Sequence, residues 1–380
     1  MDPHKHIPFV DVQGHRKQIG KAIDEAVSRV LAHGRYVMGP EVEELENALS
    51  MRTDGRHVIS CANGTDALHL CLRAFEIKPG DAIFVPALTF AATAEAICLA
   101  GGTPVFVDIE SETYNISCES LQDGIEMVLK DGLLKPTGII AVDLFGHPAA
   151  YPSLETLSNR FNLWVLEDAA QALGARLQDR PCGTFGRAAT TSFFPAKPLG
   201  AYGDGGAIFV DDKVLADKIR SLRSHGQGGD KYKNIRIGMN SRLDTLQAAV
   251  LLQKLKLFDD ELDIRNKIAQ RYSSLLKDVV DTPTIAPEVT SIWAQYTIET
   301  PKRKQLTDTL KKAGIPTAIY YPYILPNLPA YQIFPVAPSG TLVAEAATSK
   351  VLSLPMHAYL SKTSQDHIVS EIRKFFGTTI

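Results

Sequence analysis

Cysteine is scarce in this chain. The five present (Cys61, Cys71, Cys98, Cys118 and Cys182) are scattered, odd in number and never spaced as Cys-x-x-Cys. A reduced, cytoplasmic protein fits that pattern better than a disulfide framework or a zinc site, and nothing in it asks for a metal. Excess charge is missing as well: 40 basic and 43 acidic side chains leave a net charge of −3. Such a balance gives no general attraction to nucleic acid or to an anionic membrane, so an anionic ligand must be held by local groups. No apolar run approaches the roughly 20 residues of a membrane span. The N-terminal Met1-Asp2-Pro3-His4-Lys5-His6-Ile7-Pro8 lacks the apolar core of a secretory leader. There are no internal repeats and no low-complexity segments. The dinucleotide fingerprint Gly-x-Gly-x-x-Gly is also lacking, because Gly203-Asp204-Gly205-Gly206 has other spacing and lies far from the N-terminus.

What the chain does have is ordinary globular composition, 45% hydrophobic and 22% charged, over 380 residues. That length exceeds what one core usually serves, so two domains are expected. Gln18 to Ala32 and Glu41 to Leu49 read as helices flanking a stop at Gly34 to Pro40. An alternation then begins. His57 to Cys61, Ala82 to Val85, Thr103 to Val107, Gly138 to Val142, Leu163 to Glu167, Ala189 to Phe194 and Ala207 to Val210 are short apolar runs. Helical segments at Asp66 to Phe75, Ala91 to Ala100 and Leu154 to Arg160 lie between them. Unbroken apolar strands alternating with helices predict an α/β fold with a mostly parallel sheet covered on both faces. Ser241 to Leu276 reads as one long helix, with Leu243, Leu246, Val250, Lys254 and Leu257 on one side. The domain boundary falls inside it, giving a large domain over 1–255 and a small α+β domain over 256–380. In the latter, Ile292 to Thr297 is a candidate strand, Gln305 to Ala313 a helix, and Leu342 to Leu352 and Thr363 to Phe375 are mostly helical.

The chemistry gathers around Thr191 to Gly206, where an apolar strand runs into Ser192, two aromatics, Lys197 between Pro195 and Pro198, and a glycine-rich turn. A lysine in a turn is commonly a solvated charge. Apolar and glycine neighbours on both sides argue for a desolvated amine, which loses proton affinity and becomes a nucleophile. Three other features bear on it. Asn63-Gly64-Thr65 joins a strand end to a helix start, which is either a plain capped helix or a phosphate site. Asp168 follows the buried run Leu163-Trp164-Val165-Leu166, at the strand end where open parallel sheets bind ligands. It is either a helix N-cap or a desolvated carboxylate in want of a cation. Ser192, five residues before Lys197, can join Thr65 on a phosphate. An amine for an aldehyde, an acid for a ring nitrogen, and hydroxyls with a helix end for a phosphate together match pyridoxal 5'-phosphate. Phe90, after another strand, is either a ring-stacking residue or part of the core.

The chain resembles the sugar aminotransferases of the DegT family, which have the aspartate-aminotransferase architecture (fold type I). The resemblance rests on Asn63-Gly64-Thr65-Asp66-Ala67-Leu68, Glu167-Asp168-Ala169-Ala170-Gln171 and Ser192-Phe193-Phe194-Pro195-Ala196-Lys197. It continues through Tyr202-Gly203-Asp204-Gly205-Gly206, Asn240-Ser241-Arg242-Leu243-Asp244 and Leu354-Pro355-Met356-His357. It implies a seven-stranded sheet, with Lys197 joined to the cofactor aldehyde and Asp168 on the pyridine nitrogen. It further implies Gln171 at the ring hydroxyl, Gly64, Thr65 and Ser192 at the phosphate, and Asn240 and Arg242 reaching in from the other subunit of a homodimer. The branch most resembled acts on UDP-linked 3-keto hexuluronates, with L-glutamate as amino donor. There a histidine usually precedes the tyrosine and proline of the sugar loop; this chain has Tyr320-Tyr321-Pro322. A tyrosine cannot carry positive charge, which weakens the uronate assignment and leaves the transaminase reading intact.

Three alternatives remain beside a uronate aminotransferase. One is an aminotransferase for a dTDP- or UDP-linked 3- or 4-keto deoxysugar, and another a non-catalytic binding or regulatory relative. The third, a sugar dehydratase, has histidine at the position of Lys197. Tyr320 and Tyr321 are expected to line the sugar-nucleotide site, against simple loop packing. Arg242 is expected in the first turn of the long helix, where the helix dipole disfavours a cation unless an anion compensates it.

Overall fold

The computed structural model describes residues 7–230 and 232–378. Two helices open the chain, α1 (Gly14–His33), which ends at left-handed Gly34, and α2 (Pro40–Arg52), which starts on a proline. The alternation follows as β1 (His57–Cys61), α3 (Gly64–Ala74), β2 (Asp81–Pro86), α4 (Ala92–Leu99), β3 (Thr103–Val107), α5 (Cys118–Asp131), β4 (Lys135–Val142), α6 (Tyr151–Phe161) and β5 (Trp164–Asp168). Next come the short β6 (Arg176–Leu177) and β7 (Arg180–Pro181), then β8 (Ala188–Ser192), β9 (Gly206–Val210) and α7 (Lys213–Arg223).

The main sheet has seven strands in the order β1-β9-β8-β5-β4-β2-β3. β9 runs antiparallel to both neighbours and every other pairing is parallel, so the expected mostly parallel α/β sheet is what forms. The reversal of β9 makes the stretch from Phe193 to Gly205 a hairpin loop at the carboxyl end of β8, and places Lys197 there. Side chains alternate across the sheet: Ile83, Val85, Ile140 and Leu166 enter one core, and Ala82, Phe84, Ile139 and Val165 the other. Both cores are buried, which accounts for strands that read as unbroken apolar runs.

The remainder comprises α8 (Thr245–Leu255), α9 (Phe258–Leu276), β10 (Val289–Thr290), β11 (Tyr296–Glu299), α10 (Arg303–Lys312), α11 (Leu342–Lys350), β12 (Val351–Leu354) and α12 (Lys362–Phe375). Tyr272, Tyr296, Ile298, Leu306, Leu352 and Ile368 build a third core, which Ile7 joins from the N-terminal end. The proline-rich stretch before α11 turns back onto the main sheet. Phe106 of β3 donates its N–H to the Pro335 carbonyl at 3.0 Å and accepts from Ala337 at 2.8 Å.

The structure corrects several expectations. The single helix from Ser241 to Leu276 is two: Leu257 N–H bonds back three residues to Lys254 at 3.0 Å, and α9 restarts with Asp259, Asp260 and Glu261 in its first turn. Three acids in succession suit a helix start, where the dipole is positive. The N-cap of α8 is Asp244. Arg242 therefore precedes the helix and is not in its first turn, so the dipole argument for an anion at Arg242 falls away. Helices α5 and α7 were not anticipated. The last strand also replaces helix: Val351–Leu354, wholly buried, pairs antiparallel with β11, and the strand expected from Ile292 begins only at Tyr296.

Candidate active site

Lys197 sits in the loop closed by three backbone bonds: Lys197 N–H to Phe194 O at 2.8 Å, Ala201 N–H to Phe193 O at 2.7 Å and Phe193 N–H to Gly205 O at 2.8 Å. Desolvation lowers the proton affinity of its amine, and the carboxylate of Asp168 acts in the opposite sense. Asp168 ends β5 and is 6% exposed. Its acidity is weakened by burial, offset by the Ala170 N–H, the charge of Lys197 and the Thr93 hydroxyl. One oxygen accepts from Ala170 N–H at 3.2 Å and the other from Thr93 Oγ1 at 3.1 Å. Thr93 is in turn 3.3 Å from Thr89 Oγ1. No helix begins at Asp168; a turn over residues 170–174 follows it instead, so the N-cap alternative does not apply.

The turn after β1 meets this site from the side. A Cβ at Gly64 would stand 2.8 Å from the Ser192 Cβ, and one at Gly206 would stand 2.5 Å from the Asn63 carbonyl oxygen. The two glycines thus let the start of α3 approach the ends of β8 and β9. Asn63 caps α3 by accepting from Asp66 N–H at 2.8 Å, and the first backbone helical bond is Ala67 N–H to Asn63 O at 3.1 Å. The amides of Gly64 and Thr65 come before it and face the helix's positive end. Ser192 Oγ accepts from Phe194 N–H at 3.2 Å, which leaves its own hydrogen to donate. A helix N-terminus, two small-residue approaches and a donor hydroxyl form a cradle that fits a phosphate.

On the other flank, Gln171 Oε1 accepts from Phe145 N–H at 2.9 Å and Gln171 Nε2 donates to the Tyr321 hydroxyl at 3.3 Å. Burial strongly raises the Tyr321 phenol, so it stays protonated. Phe90 is 59% exposed, with its ring 6.1 Å from that of Tyr321. It is not a core residue. Tyr320 is half-buried between Tyr321 and Phe9, with ring separations of 5.7 and 6.2 Å. An amine, a facing carboxylate, a fixed amide, aromatic faces and a phosphate cradle thus converge, and these donors fit pyridoxal phosphate.

Asn240 and Arg242 are less integrated. Asn240 is exposed. Between them Ser241 is buried, its hydroxyl accepting the Ala62 N–H at 3.2 Å beside the cradle. Arg242 is half-buried, and its Nε is without a partner among the described residues. Sequence reasoning missed Thr93. Its signal was the spacing of two hydroxyls, Thr89 and Thr93, four residues apart at a helix start beyond a strand end. It also missed Asp143, which lies behind the site against Glu167. Both Glu167 oxygens accept backbone amides, from Gly183 at 2.7 Å and Phe185 at 2.8 Å. One Asp143 oxygen accepts from Ala149 N–H and Tyr151 OH, each at 2.8 Å, and the other has no other partner among the described residues. Burial raises both acids, Glu167 to about 7.

No helix among the described residues is long and apolar enough to cross a membrane. The sequence model of the DegT/DnrJ/EryC1/StrS aminotransferase family matches residues 17–373. The chain is 43% identical to UDP-2-acetamido-2-deoxy-3-oxo-D-glucuronate aminotransferase of Pseudomonas aeruginosa, over 94% of this chain and 97% of that one. Among solved structures it superposes on a DegT DnrJ EryC1 StrS aminotransferase from Brucella abortus with a TM-score of 0.97 and 48% identity, covering 98% of this chain and 100% of that one. NtdA from Bacillus subtilis, solved with its cofactor PMP bound, superposes at a TM-score of 0.88 with 28% identity, covering 98% and 86% of the two chains.

Proposed function

Because the chain belongs to the DegT/DnrJ/EryC1/StrS aminotransferase family, and is with it a pyridoxal-phosphate-dependent enzyme, we propose that it transfers an amino group from L-glutamate to the keto carbon of a nucleotide-linked sugar. The preferred substrate is a UDP-linked 3-keto hexuluronate. The observation that carries the reading is Lys197, an amine made nucleophilic by desolvation and facing Asp168 in a hairpin loop beside a phosphate cradle.

Pyridoxal phosphate, when bound, supplies an aldehyde for an amine and a ring that accepts electrons. Lys197 would hold the cofactor by its aldehyde and, as an amine, would serve as the base and acid that moves the proton. The carboxylate of Asp168, oriented by Thr93, would keep the ring nitrogen protonated. Gly64, Thr65 and Ser192 would hold the phosphate, Gln171 the ring hydroxyl, and Phe90 would lie against the ring. Tyr320 and Tyr321 border the sugar.

The active form is a homodimer with shared sites. Exposed apolar side chains on the segments flanking the site support this: Tyr36, Phe90 and Phe194, with Tyr232, Ile235 and Ile237 on the loop before Asn240. Asn240 and Arg242 then serve the partner's site, with Arg242 the cation for a sugar carboxylate. One observation favours a second reading. Tyr320 offers no positive charge where the uronate branch has histidine, which suits a neutral UDP- or dTDP-linked 3-keto sugar. The test is direct. Glutamate should convert the bound cofactor's visible band to that of its amine form, and a UDP-linked 3-keto hexuluronate should restore it. If glutamate leaves the band unchanged, the aminotransferase reading with this donor fails; if only neutral keto sugars restore it, the second reading replaces the first.

A further inference from the structure

Lys254 lies on the apolar side of α8, in line with Val250 and Leu251, and is 2% exposed. A buried ammonium is costly, and a methionine of similar volume would fill the same space without that penalty. The cation has specific partners. Its Nζ donates to the Gly200 carbonyl and stands 5.3 Å from the centre of the Tyr202 ring. Two turns earlier on the same helix, Gln247 Oε1 accepts from Tyr202 N–H at 2.8 Å. One rigid helix therefore grips both ends of Gly200-Ala201-Tyr202, starting three residues after Lys197.

We propose that Lys254 is a positioning residue for the reacting amine, its ammonium fixing the loop from Lys197 to Tyr202 in the geometry that holds the cofactor. The proposal rests on the reading of Lys197 as the lysine that joins the cofactor. Only the ammonium form makes this a charge-assisted bond. Desolvation pulls Lys254 down to about 8, with the charge of Glu261 acting in the opposite sense. Glu261 on α9 is itself bound by His15 of α1 at 2.9 Å and by the Tyr359 hydroxyl. Glu261 and the Tyr202 ring are the groups that act on Lys254, while His15, Tyr359 and the charge of Arg265 act on Glu261. Loss of its proton just above neutrality loosens the loop.

The full-length protein is loaded with pyridoxal phosphate, and release of the cofactor on dilution is followed from about pH 7 to about pH 9.5, either side of the titration. Wild type is expected to release it about tenfold faster at the high end, equivalent to about 1.4 kcal/mol. Lys254→Arg, which keeps its charge throughout, is expected to show a flat profile. Lys254→Met, once shown to be folded by circular dichroism, is expected to release it rapidly at every pH. A flat wild-type profile overturns the proposal, as does a Lys254→Arg profile that follows wild type. Lys197→Ala separates the two readings. If that variant keeps the visible band of the amine-linked cofactor, the premise fails and the proposal with it. If the band is lost while wild type and Lys254→Arg behave alike, the proposal alone fails.

Discussion

Glu167 and Asp168 stand side by side on β5, and the pleat sends them to opposite faces of the sheet. Both are nearly hidden from water, with exposures of 0% and 6%. Glu167 enters the core of Tyr151, Cys182 and Phe185, where two backbone amides saturate its oxygens and burial raises it to about 7. Asp168 enters the ligand side, with one amide, one hydroxyl and a lysine across a gap. Burial is the same; satisfaction is not. A buried acid whose bonds are completed by its own fold is part of the scaffold, whereas one left short of a cationic partner is poised for a ligand.

The most severe way to break this contrast is Lys197→Ala, which removes the amine on the Asp168 side and leaves the Glu167 side untouched. Turnover should fall to background while thermal unfolding stays near wild type, and measurable wild-type activity would remove the central assignment. Asp168→Asn comes next. With the carboxylate gone the ring nitrogen loses its counter-charge, and kcat should fall by about 10²–10³, the range for a major electrostatic contact in a closed site. Steady-state rates with saturating cofactor provide the check, and near-normal turnover would return Asp168 to the scaffold. The sharing of sites has its own test. Lys197→Ala and Arg242→Ala chains, each inactive alone, should regain about a quarter of wild-type activity after subunits exchange, because a mixed twofold dimer holds one intact site. Demonstrated exchange without activity rules the shared site out.

Much of this contrast could be read from the chain. The Lys197 loop and the Asn63-Gly64-Thr65 turn were legible because their meaning is local: a glycine needed for close approach and apolar neighbours that desolvate an amine are visible in sequence. Asp168 was legible as a carboxylate at the end of a buried strand. The role of Glu167 was not, because its partners Gly183, Phe185 and Asp143 are brought to it by tertiary packing alone. Thr93 left only its spacing from Thr89 as a signal, because its contact with Asp168 is made by tertiary packing. The break between α8 and α9 was missed because apolar periodicity continues through Leu257, although Asp259-Asp260-Glu261 marked a new start. Arg242 was misplaced because the helix starts later than expected: Asp244 is its N-cap residue, and the loop before it is held by Ser241 on Ala62.

On the scaffold side the expected effect is on stability, and its sign follows from the direction in which burial moves the two acids. The unfolded chain releases both protons near the ordinary carboxyl range, whereas in the folded chain burial raises Glu167 to about 7 and Asp143 well above its ordinary value. Between those limits the folded state binds more protons, so this pair's contribution is present at low pH and is lost as pH rises towards and past 7. Asp143→Asn supplies a permanent donor to Glu167 and should flatten that component, with a difference from wild type of about 1–2 kcal/mol across the window. Denaturant melts of both proteins at several pH values measure it. His357 titrates in the opposite sense, because burial lowers it to about 4. It is common to both proteins and cancels in the difference. Parallel curves for the two proteins would mean that burial does not raise Asp143.

The smallest effect is expected at the rim of the Asp168 side. Tyr320 packs between Phe9 and Tyr321 and makes no contact with Asp168 or Lys197; burial raises its phenol and keeps it neutral. Tyr320→His keeps an aromatic ring of smaller size and adds a group that can carry positive charge near neutral pH. The proposed half-reaction with glutamate, which would use Lys197 and Asp168, should keep its rate within about twofold, the span of an ordinary surface change. The second half-reaction should change by substrate: kcat/KM for a uronate should rise relative to a neutral keto sugar, by up to roughly fivefold for one added exposed ion pair. Because such a pair is screened, the gain should shrink with added salt. A gain for both sugars alike would point to altered packing at Phe9. An unchanged ratio would assign Tyr320 to the loop's packing and leave Arg242 as the cation on which carboxylate selectivity depends.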